Sequence, residues 1–321
     1  MNHILLLGAG FSRNWGGWLA EELVGDLLGR IGDVPSVSRR LQNDRSFENV
    51  LADLTEEENR IRSPATKEAL SIYQNAIRES FNEMNQAFAV RTSLNFCNDA
   101  ASRVNTFLGA FNAIFTLNQD LLLELHYRLD LQNPHNWLGV CYPGAQPPPQ
   151  WMTMDRMQLL REPWMTGILQ DLDARSQPIY KLHGSVNWST QENRELLVIG
   201  ANKRAVIEAS PILRFNSDEF KRRLAVPNTR LMVIGYSFHD DHIDDCIYEA
   251  FQRSGLSMFI LDPQGYGVFD RDRHAQIRPP PHRMTEVPCI GISTRTLSAT
   301  FNNDELERKK IYRFFKPLSV T

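Results

Sequence analysis

Short apolar runs, separated by segments with helical spacing, dominate the pattern of this chain. The run at 4–7 precedes a glycine turn and then a segment in which Leu19, Leu23 and Leu27 recur at the spacing of one helix face. Similar runs follow at 113–117, 179–182, 196–199, 231–234 and 258–261. Together they predict at least six short strands. Apolar strands that alternate with helices indicate a parallel sheet covered on both faces, an α/β fold.

Two further segments have a helical pattern. Residues from about 36 to 110 carry apolar side chains at helix-like spacings with almost no strand pattern, so we expect a helical insertion there within a single domain of residues 1–321. The segment from Asp304 to Phe315 predicts a charged terminal helix. Its aromatic residues Phe314 and Phe315 either pack in the core of the chain itself or contact a partner.

Composition excludes several classes of protein. Apolar residues make up 42% of the chain and charged residues 23%, and no apolar stretch approaches the roughly 18 residues that a membrane span needs. Gly8 interrupts the first apolar run too early for a signal peptide. The four cysteines form no paired motif, so we expect neither a zinc module nor disulfides, and a cytoplasmic protein.

The charge balance gives no general reason to expect a nucleic-acid partner. The net charge is -3. The local basic group 221–223 leaves direct nucleic-acid binding open, although a solvated helix face is the preferred interpretation of such a run.

The first glycine turn is a candidate phosphate site. Gly8 and Gly10 allow a tight turn and a close approach to a pyrophosphate, and a helix N-terminus supplies N–H donors. A Rossmann-like fold uses such a turn for a dinucleotide. Arg13 stands where the third glycine of that fingerprint is expected, so a plain connection between strand and helix remains the alternative.

Polar residues also follow the later strands. Ligands of an open parallel sheet collect at the carboxyl ends of its strands, so these residues are the ones to inspect. They are Thr116-Leu117-Asn118-Gln119-Asp120, His183-Gly184-Ser185, the segment from Gly235 to Asp241, and Asp262-Pro263.

The order of these motifs resembles that of the sirtuin superfamily, and more closely its bacterial sirtuin-like NAD-hydrolase branch. The resemblance extends from the start of the chain to about Phe315. Its parts are G-A-G-F-S at 8–12, T-L-N-Q-D at 116–120, K-L-H-G-S at 181–185 and V-I-G-Y-S-F at 233–238. The last of these is similar to the family's Gly-x-Ser loop near the cofactor ribose.

The resemblance implies a set of site residues. It makes Asn118 and His183 the catalytic pair in the nicotinamide-ribose pocket, with Asp120 as a third member that orients the site or supports charge. We expect the cofactor-binding residues to be Gly8, Ala9, Gly10, Phe11, Ser12, Thr116, Gly184, Gly235, Ser237 and Asp262. Asp262 is assigned to the adenosine half because its strand ends at the same edge of the sheet.

The chemistry of bond cleavage supports these residue types. Breaking the nicotinamide–ribose bond builds positive charge on the sugar, so neutral or negative polar atoms and a base are needed near C1′. The Asn118 amide offers one acceptor and two donors, and histidine titrates close to neutral pH. Taken singly, Asn118 is more often a turn cap and His183 a buried structural histidine; in combination the catalytic interpretation is favoured.

The chain differs from sirtuin deacylases in two ways. It lacks paired cysteines for their zinc module, and the segment 14–18, Asn-Trp-Gly-Gly-Trp, replaces their G-I-P-D-F-R loop. Trp15 and Trp18 are candidates for a wall of the pocket. With these differences, the resemblance implies NAD⁺ glycohydrolysis, with NAD⁺ as the substrate and no metal. Bacterial members of the branch act in anti-phage defence, so the resemblance implies that role as well. An NAD⁺ or ADP-ribose sensor and a protein deacylase remain alternatives.

Partners and metals complete the expectations. The resemblance implies assembly with a hexameric HerA-type ATPase, and we expect any sensor to be a separate protein. Because an uncontrolled NAD⁺ hydrolase would poison its own cell, we also expect a homo-oligomer. The group at 239–245, with His239, His242 and four aspartates, has the residue types of a metal site. We prefer the first turn of a helix, where the carboxylates complement the macrodipole and Asp240 or Asp241 caps it.

Overall fold

A computed structural model of the chain describes residues 1–91, 93–97, 103–129, 133–167, 174–190, 195–200, 203–269 and 282–316. Within them, seven parallel strands form the main sheet in the order β11-β10-β9-β1-β2-β6-β3. Their bounds are β1 Asn2–Leu7, β2 Ala113–Thr116, β3 Gly139–Cys141, β6 Ser176–Lys181, β9 Thr229–Ile234, β10 Ser257–Leu261 and β11 Cys289–Ser293.

The predicted α/β class is confirmed by this sheet and by the helices around it. Along the strands, side chains alternate between two hydrophobic clusters. Leu5 and Leu7 contribute to one cluster and Ile4 and Leu6 to the other, and all four are fully buried. The sheet is therefore covered on both faces, which explains why its strands are apolar throughout.

A second, smaller sheet has the order β4-β5-β7-β8 within the described residues. Its strands are β4 Ala145–Gln146, β5 Trp164–Thr166, β7 Gly184–Ser189 and β8 Glu195–Leu197. The prediction that the run at 196–199 belongs to the main parallel sheet is therefore wrong: β8 pairs antiparallel with β7. Leu196 is buried in this smaller sheet, so the apolar run at 196–199 reflects burial there and not in the main sheet.

Helices fill most of the chain between the strands. Their bounds are α1 Ala9–Arg13, α2 Ala20–Ile31, α3 Pro35–Asp44, α4 Phe47–Ile61, α5 Pro64–Ala89, α6 Val104–Leu108, α7 Leu122–His126, α8 Arg156–Leu159, α9 Lys203–Ala209, α10 Pro211–Leu224, α11 Asp241–Ser254, α12 Leu297–Thr300 and α13 Glu305–Tyr312. Among the described helices, none combines the length and the apolar character that a membrane span requires.

Helices α2 to α5 pack on one another around a hydrophobic cluster of their own, which includes Leu27, Val37, Val50 and Tyr73. They lie between β1 and β2 in sequence, although these two strands are neighbours in the sheet. The helical character predicted for residues 36–110 is thus present in the described part of that segment. Its first part packs around this separate cluster, while Phe88 and Phe107 pack in the cluster that covers one face of the sheet.

The C-terminal aromatic residues lie in the core of the chain itself. Phe314 is buried and its ring lies 5.4 Å from that of His3 and 6.0 Å from that of Phe259. Phe315 packs against the same cluster. Of the two uses considered for these side chains, packing within the chain is the one observed.

The order of the strands places a crevice beside β1. The chain runs from β1 through β2 to β6 on one side of β1, then crosses to β9, β10 and β11 on the other side. The strand order therefore reverses between β1 and β9. Ligands of open parallel sheets bind at such a switch point, outside the carboxyl ends of the strands.

Candidate functional site

Two glycine loops meet at this switch point. The loop after β1 contacts the loop after β9, with the Gly10 N–H donating to the Gly235 carbonyl over 2.9 Å and the Gly8 N–H donating to the Ile234 carbonyl over 3.0 Å. A Cβ on Gly10 would lie 2.6 Å from the Gly235 Cα, and Gly235 itself has φ of +61°. Only glycine permits this backbone approach and this conformation.

The helix after the first loop differs from the prediction. The loop leads into α1, a single turn of five residues, and the longer amphipathic helix α2 begins only at Ala20. Besides the Gly10 amide, the Phe11 N–H is also engaged, since it donates to the Gly8 carbonyl over 2.9 Å. Two of the backbone N–H groups that were expected to be free for a phosphate therefore form hydrogen bonds within the protein.

A hydrogen-bonded cluster joins this loop to the end of β2. The Asn118 side-chain amide donates to the Gly8 carbonyl and to Ser12 Oγ, each over 3.0 Å. Ser12 Oγ donates in turn to Asp120 Oδ2 over 2.7 Å. The structure thus brings three predicted site residues, Ser12, Asn118 and Asp120, into one network. We call it the Asn118 cluster.

Thr116 supports the Asn118 cluster. Its Oγ1 accepts the Asn118 backbone N–H over 3.0 Å, which fixes the turn that follows β2. Parallel pairing brings the end of β2 beside the end of β1, because Leu7 lies opposite Thr116. Residues that are far apart in the chain therefore meet through the register of the sheet.

A buried ion pair lies beneath the cluster, and the sequence analysis missed it. Lys181, the last residue of β6, donates to Glu124 Oε1 over 2.7 Å, to Ser185 Oγ over 2.8 Å and to the Asp120 carbonyl over 2.6 Å. Both charged side chains are at most 2% exposed. Burial raises the pKa of Glu124, and Lys181 opposes that shift. A charged residue inside an apolar strand, as in K-L-H-G-S, was the available signal.

A cavity of about 10 Å³, the space of one water molecule, lies between the cluster and the ion pair. A nicotinamide ring would need the surrounding side chains to move apart. The cavity is lined by Phe11, Ser12, Thr116, Asn118, Asp120, Leu123, Glu124, Tyr142 and Lys181.

His183 lies apart from the Asn118 cluster. It follows β6 and is 4% exposed, and among the described residues no hydrogen bond joins it to Asn118. Instead its Nε2 lies 3.0 Å from Nε2 of His242, in the first turns of α11. Burial lowers the pKa of His183 to about 3, so the expectation of a histidine that titrates near neutral pH is wrong for this environment.

Charged residues surround the histidine pair. Asp240 Oδ1 accepts from Lys203 Nζ over 2.5 Å, and Glu48 Oε2 lies 2.9 Å from the same ammonium. Burial disfavours the Lys203 ammonium, but the two carboxylates more than offset this and raise its pKa. Asp240 occupies the N-cap position of α11, yet its carboxylate makes no capping hydrogen bond. The expected cap is absent there because the side chain binds Lys203.

His183, Asp240 and His242 offer ligand atoms that all lie within 4.8 Å of one another. The metal group considered in the sequence analysis was the segment 239–245, so it contained Asp240 and His242 but not His183. Asp240 supplies the carboxylate of this group, and that carboxylate already accepts a hydrogen bond from the Lys203 ammonium. His239, by contrast, is exposed on the same segment.

The remaining predicted residues lie at the same edge of the sheet. Gly184 has φ of +74°, and a Cβ there would lie 2.0 Å from the Leu196 carbonyl oxygen. Ser237 is exposed, and Asp262 Oδ1 accepts the Gln264 N–H over 2.8 Å. Ala9 is exposed and Phe11 is buried.

The two tryptophans after the glycine loop differ in environment. Trp15 is buried and stacks on Phe96 with ring centroids 5.0 Å apart, while its indole N–H donates to the Leu94 carbonyl. Trp18 is partly buried against two hydrophobic clusters. Trp15 therefore belongs to the core beneath the loop, and it does not line the cavity beside Asn118.

Comparison with protein families identifies the region that carries this site. The model of the SIR2-like domain matches residues 112–277, about half of the chain. The chain belongs to the SIR2-like family. SIR2-like domains use NAD⁺, so an NAD⁺-related function follows from this membership. A search of curated proteins finds no match.

The matched region of this SIR2-like chain includes Asn118, Asp120, His183 and Gly235, and the glycine loop at 8–12 lies before it. Assignment of that loop to the same site therefore rests on the structure. Parallel pairing of β1 with β2 and β9 places it between two matched strands, and its amide contacts Gly235 directly.

Proposed function

We propose that this chain is an NAD⁺ glycohydrolase that cleaves the nicotinamide–ribose bond and releases nicotinamide and ADP-ribose. The observation that supports it most directly is the Asn118 cluster. Ser12, Asn118 and Asp120 converge at the switch point of a parallel sheet, where dinucleotides bind, in a chain of an NAD⁺-using family.

Each side chain of the cluster suits one requirement of the reaction. As the C1′–N bond breaks, its electron pair leaves with the nicotinamide nitrogen, and positive charge develops on the ribose. The Asp120 carboxylate, held by Ser12, supplies negative charge close to Asn118. The Asn118 amide can bind a ribose hydroxyl and the attacking water together, because it has both donor and acceptor atoms.

His183 is the proposed base. Water forms the new bond to C1′ and gives up one proton, which a neutral imidazole can accept. Burial keeps His183 neutral at physiological pH, since it lowers its pKa to about 3. For the same reason its conjugate acid needs stabilisation, and the nearby Asp240 carboxylate favours the protonated form.

A sensor that binds NAD⁺ or ADP-ribose without turnover is the second candidate. It is favoured by one observation: the cavity between Asn118, Asp120 and Lys181 has room for one water molecule only. Deacylation is the third candidate. Among the described residues no two cysteines form a disulfide, and none belongs to the group of possible metal ligands.

Incubating the purified protein with NAD⁺, with and without an acylated peptide, separates the three candidates. Hydrolysis gives nicotinamide and ADP-ribose without the peptide, a sensor gives binding alone, and a deacylase needs the peptide. Asn118→Ala should lower kcat on the order of 10²-fold or more. Asn303→Ala, at an exposed asparagine that belongs to neither the Asn118 cluster nor the lining of its cavity, is the matched control. Equal turnover by both variants would contradict the proposed site.

We further propose that the activity serves anti-phage defence by NAD⁺ depletion, in a homo-oligomer that docks on a HerA-type ATPase. The support is the resemblance to stand-alone sirtuin-like chains, together with the need to restrain an NAD⁺ hydrolase inside its own cell. Light scattering of the chain, alone and with the ATPase, tests the assembly. A monomer with full activity and no response to the ATPase would refute it.

A further inference from the structure

The contact between His183 and His242 limits where their protons can be. The two Nε2 atoms are 3.0 Å apart, and the rings are tilted by 38° with centroids 5.1 Å apart. A hydrogen bond across this distance needs an N–H on one ring and a lone pair on the other. Both Nε2 atoms therefore cannot carry a proton at once, and the tautomer of one ring decides that of the other.

We propose that His242 is a positioning residue for His183: it accepts the His183 Nε2–H and so leaves Nδ1 of His183 as the basic nitrogen. This inference rests on the proposed function, in which His183 takes a proton from water. If Nε2 of His183 accepted the hydrogen bond instead, Nδ1 would carry the proton of the neutral ring, and no free lone pair would remain to act as a base. The proposed role of His183 therefore requires the Nε2–H before the reaction. A proton taken up at Nδ1 then gives an imidazolium whose Nε2–H remains bound to His242.

The charged groups around the pair act on both imidazoles. The Asp240 carboxylate stabilises a cation on either ring, whereas the Lys203 ammonium opposes it. Glu48 lies 2.9 Å from that ammonium and offsets part of its charge. Arg204 and Asp241 are the other charged groups that act on His242, and their effects have opposite signs.

Glu48 connects the pair to another part of the fold. It lies in the first turn of α4, within the helical segment that packs around its own hydrophobic cluster. Lys203 begins α9, and Asp240 precedes α11. Residues of α4 and α9 and the residue before α11 thus supply the charges around the His183–His242 pair.

A metal ion is the competing explanation for two imidazoles and a carboxylate at this spacing. The position of Lys203 argues against it, because its ammonium is 2.5 Å from Asp240 Oδ1 and occupies the cationic position of the group. An ion bound by Asp240 would have to share this carboxylate with the Lys203 ammonium. The hydrogen-bonded pair needs no such rearrangement.

Three variants test the proposal by activity. His242→Ala should lower kcat by about 10- to 100-fold, the usual effect of losing a partner that orients an imidazole, with KM little changed. His242→Gln keeps an acceptor and should retain most of the activity, and added imidazole should restore His242→Ala in part. His239→Ala, at an exposed histidine three positions earlier, is the control. Full activity of His242→Ala overturns the proposal.

Nuclear magnetic resonance of histidine labelled with ¹⁵N tests the proton positions without turnover. His183, assigned from its loss in His183→Gln, should show a protonated Nε2 and an unprotonated Nδ1, and the contact should disappear in His242→Ala. The opposite tautomer of His183 overturns the proposal even if NAD⁺ is hydrolysed. If NAD⁺ is not hydrolysed, the proposed function fails, while the spectrum still decides the pairing. Stoichiometric metal that is lost in His242→Ala would also overturn it.

Discussion

Replacing Lys181 by methionine should destabilise the protein strongly. Methionine has a similar length but no charge, so the Glu124 carboxylate would keep its burial and lose its cation. Lys181 Nζ now serves three oxygens, those of Glu124, Ser185 and the Asp120 carbonyl, at 2.6 to 2.8 Å. Removing one partner of a buried ion pair costs about 3–5 kcal/mol. We expect a loss of that size in the free energy of unfolding.

The loss should depend on pH, and its sign follows from Glu124. Burial raises the pKa of this carboxyl, and Lys181 is the group that opposes the shift. Without Lys181 the folded protein holds the Glu124 proton more tightly than the unfolded chain does. The stability of the variant relative to the wild type therefore falls as pH rises from the Glu124 pKa of the wild type toward the higher Glu124 pKa of the variant, by up to about 1.4 kcal/mol per pH unit.

Urea unfolding of wild type and Lys181→Met at pH 6 and pH 8 measures both effects. The matched control is Lys309→Met, because Lys309 pairs with Glu305 over 2.6 Å while both side chains are more than 60% exposed. That control should cost far less, because solvent screens an exposed ion pair. Lys181→Met with Glu124→Leu should recover much of the loss, since apolar replacement of a buried pair is often neutral. A loss in Lys181→Met no larger than in the control would refute the reasoning.

Three further predictions concern the loops, the response to acid and metal content. Gly235→Ala should lower the free energy of unfolding by more than about 3 kcal/mol, because the new Cβ would lie 2.4 Å from the Gly10 Cα. Gly255→Ala is the control, since Gly255 has φ of +68° but open space around it, and it should lower the same quantity by about 1–2 kcal/mol. Thermal unfolding compares the two variants. Burial lowers the pKa of His126 to about 4, so its neutral form stabilises the protein above pH 6.5 and this contribution is lost as pH falls toward 4. In the wild type, His126 should contribute about 2 kcal/mol to the fall in unfolding free energy between pH 7 and pH 5. His126→Gln should remove that contribution, and an unchanged fall in the variant would contradict the prediction. Elemental analysis of purified protein should find no stoichiometric zinc, and one zinc per chain would revive the deacylase alternative.

The fold was predictable wherever burial leaves a strong pattern in the sequence. The central strands are buried on both faces, so β1, β2, β9 and β10 read as continuous apolar runs. The small sheet was not predicted as such, because β4 has two residues and β5 three, too few to show any period. The strand β3 at the sheet edge is likewise only three residues long.

The site was predictable to the extent that it follows strand ends. Ser12, Asn118 and Asp120 each come shortly after an apolar run, and the parallel register brings them together. The groups around His183 follow no such rule. Glu48 and Lys203 reach it from helices whose mutual arrangement depends on tertiary packing, so spacing along the chain could not relate them.

The polar groups that the proposed chemistry requires are engaged with one another in this structure. Asn118 donates to Gly8 and Ser12, both Asp120 oxygens accept hydrogen bonds, and His183 contacts His242. Binding of NAD⁺ must exchange these bonds for new ones, so part of its binding energy is spent on rearrangement.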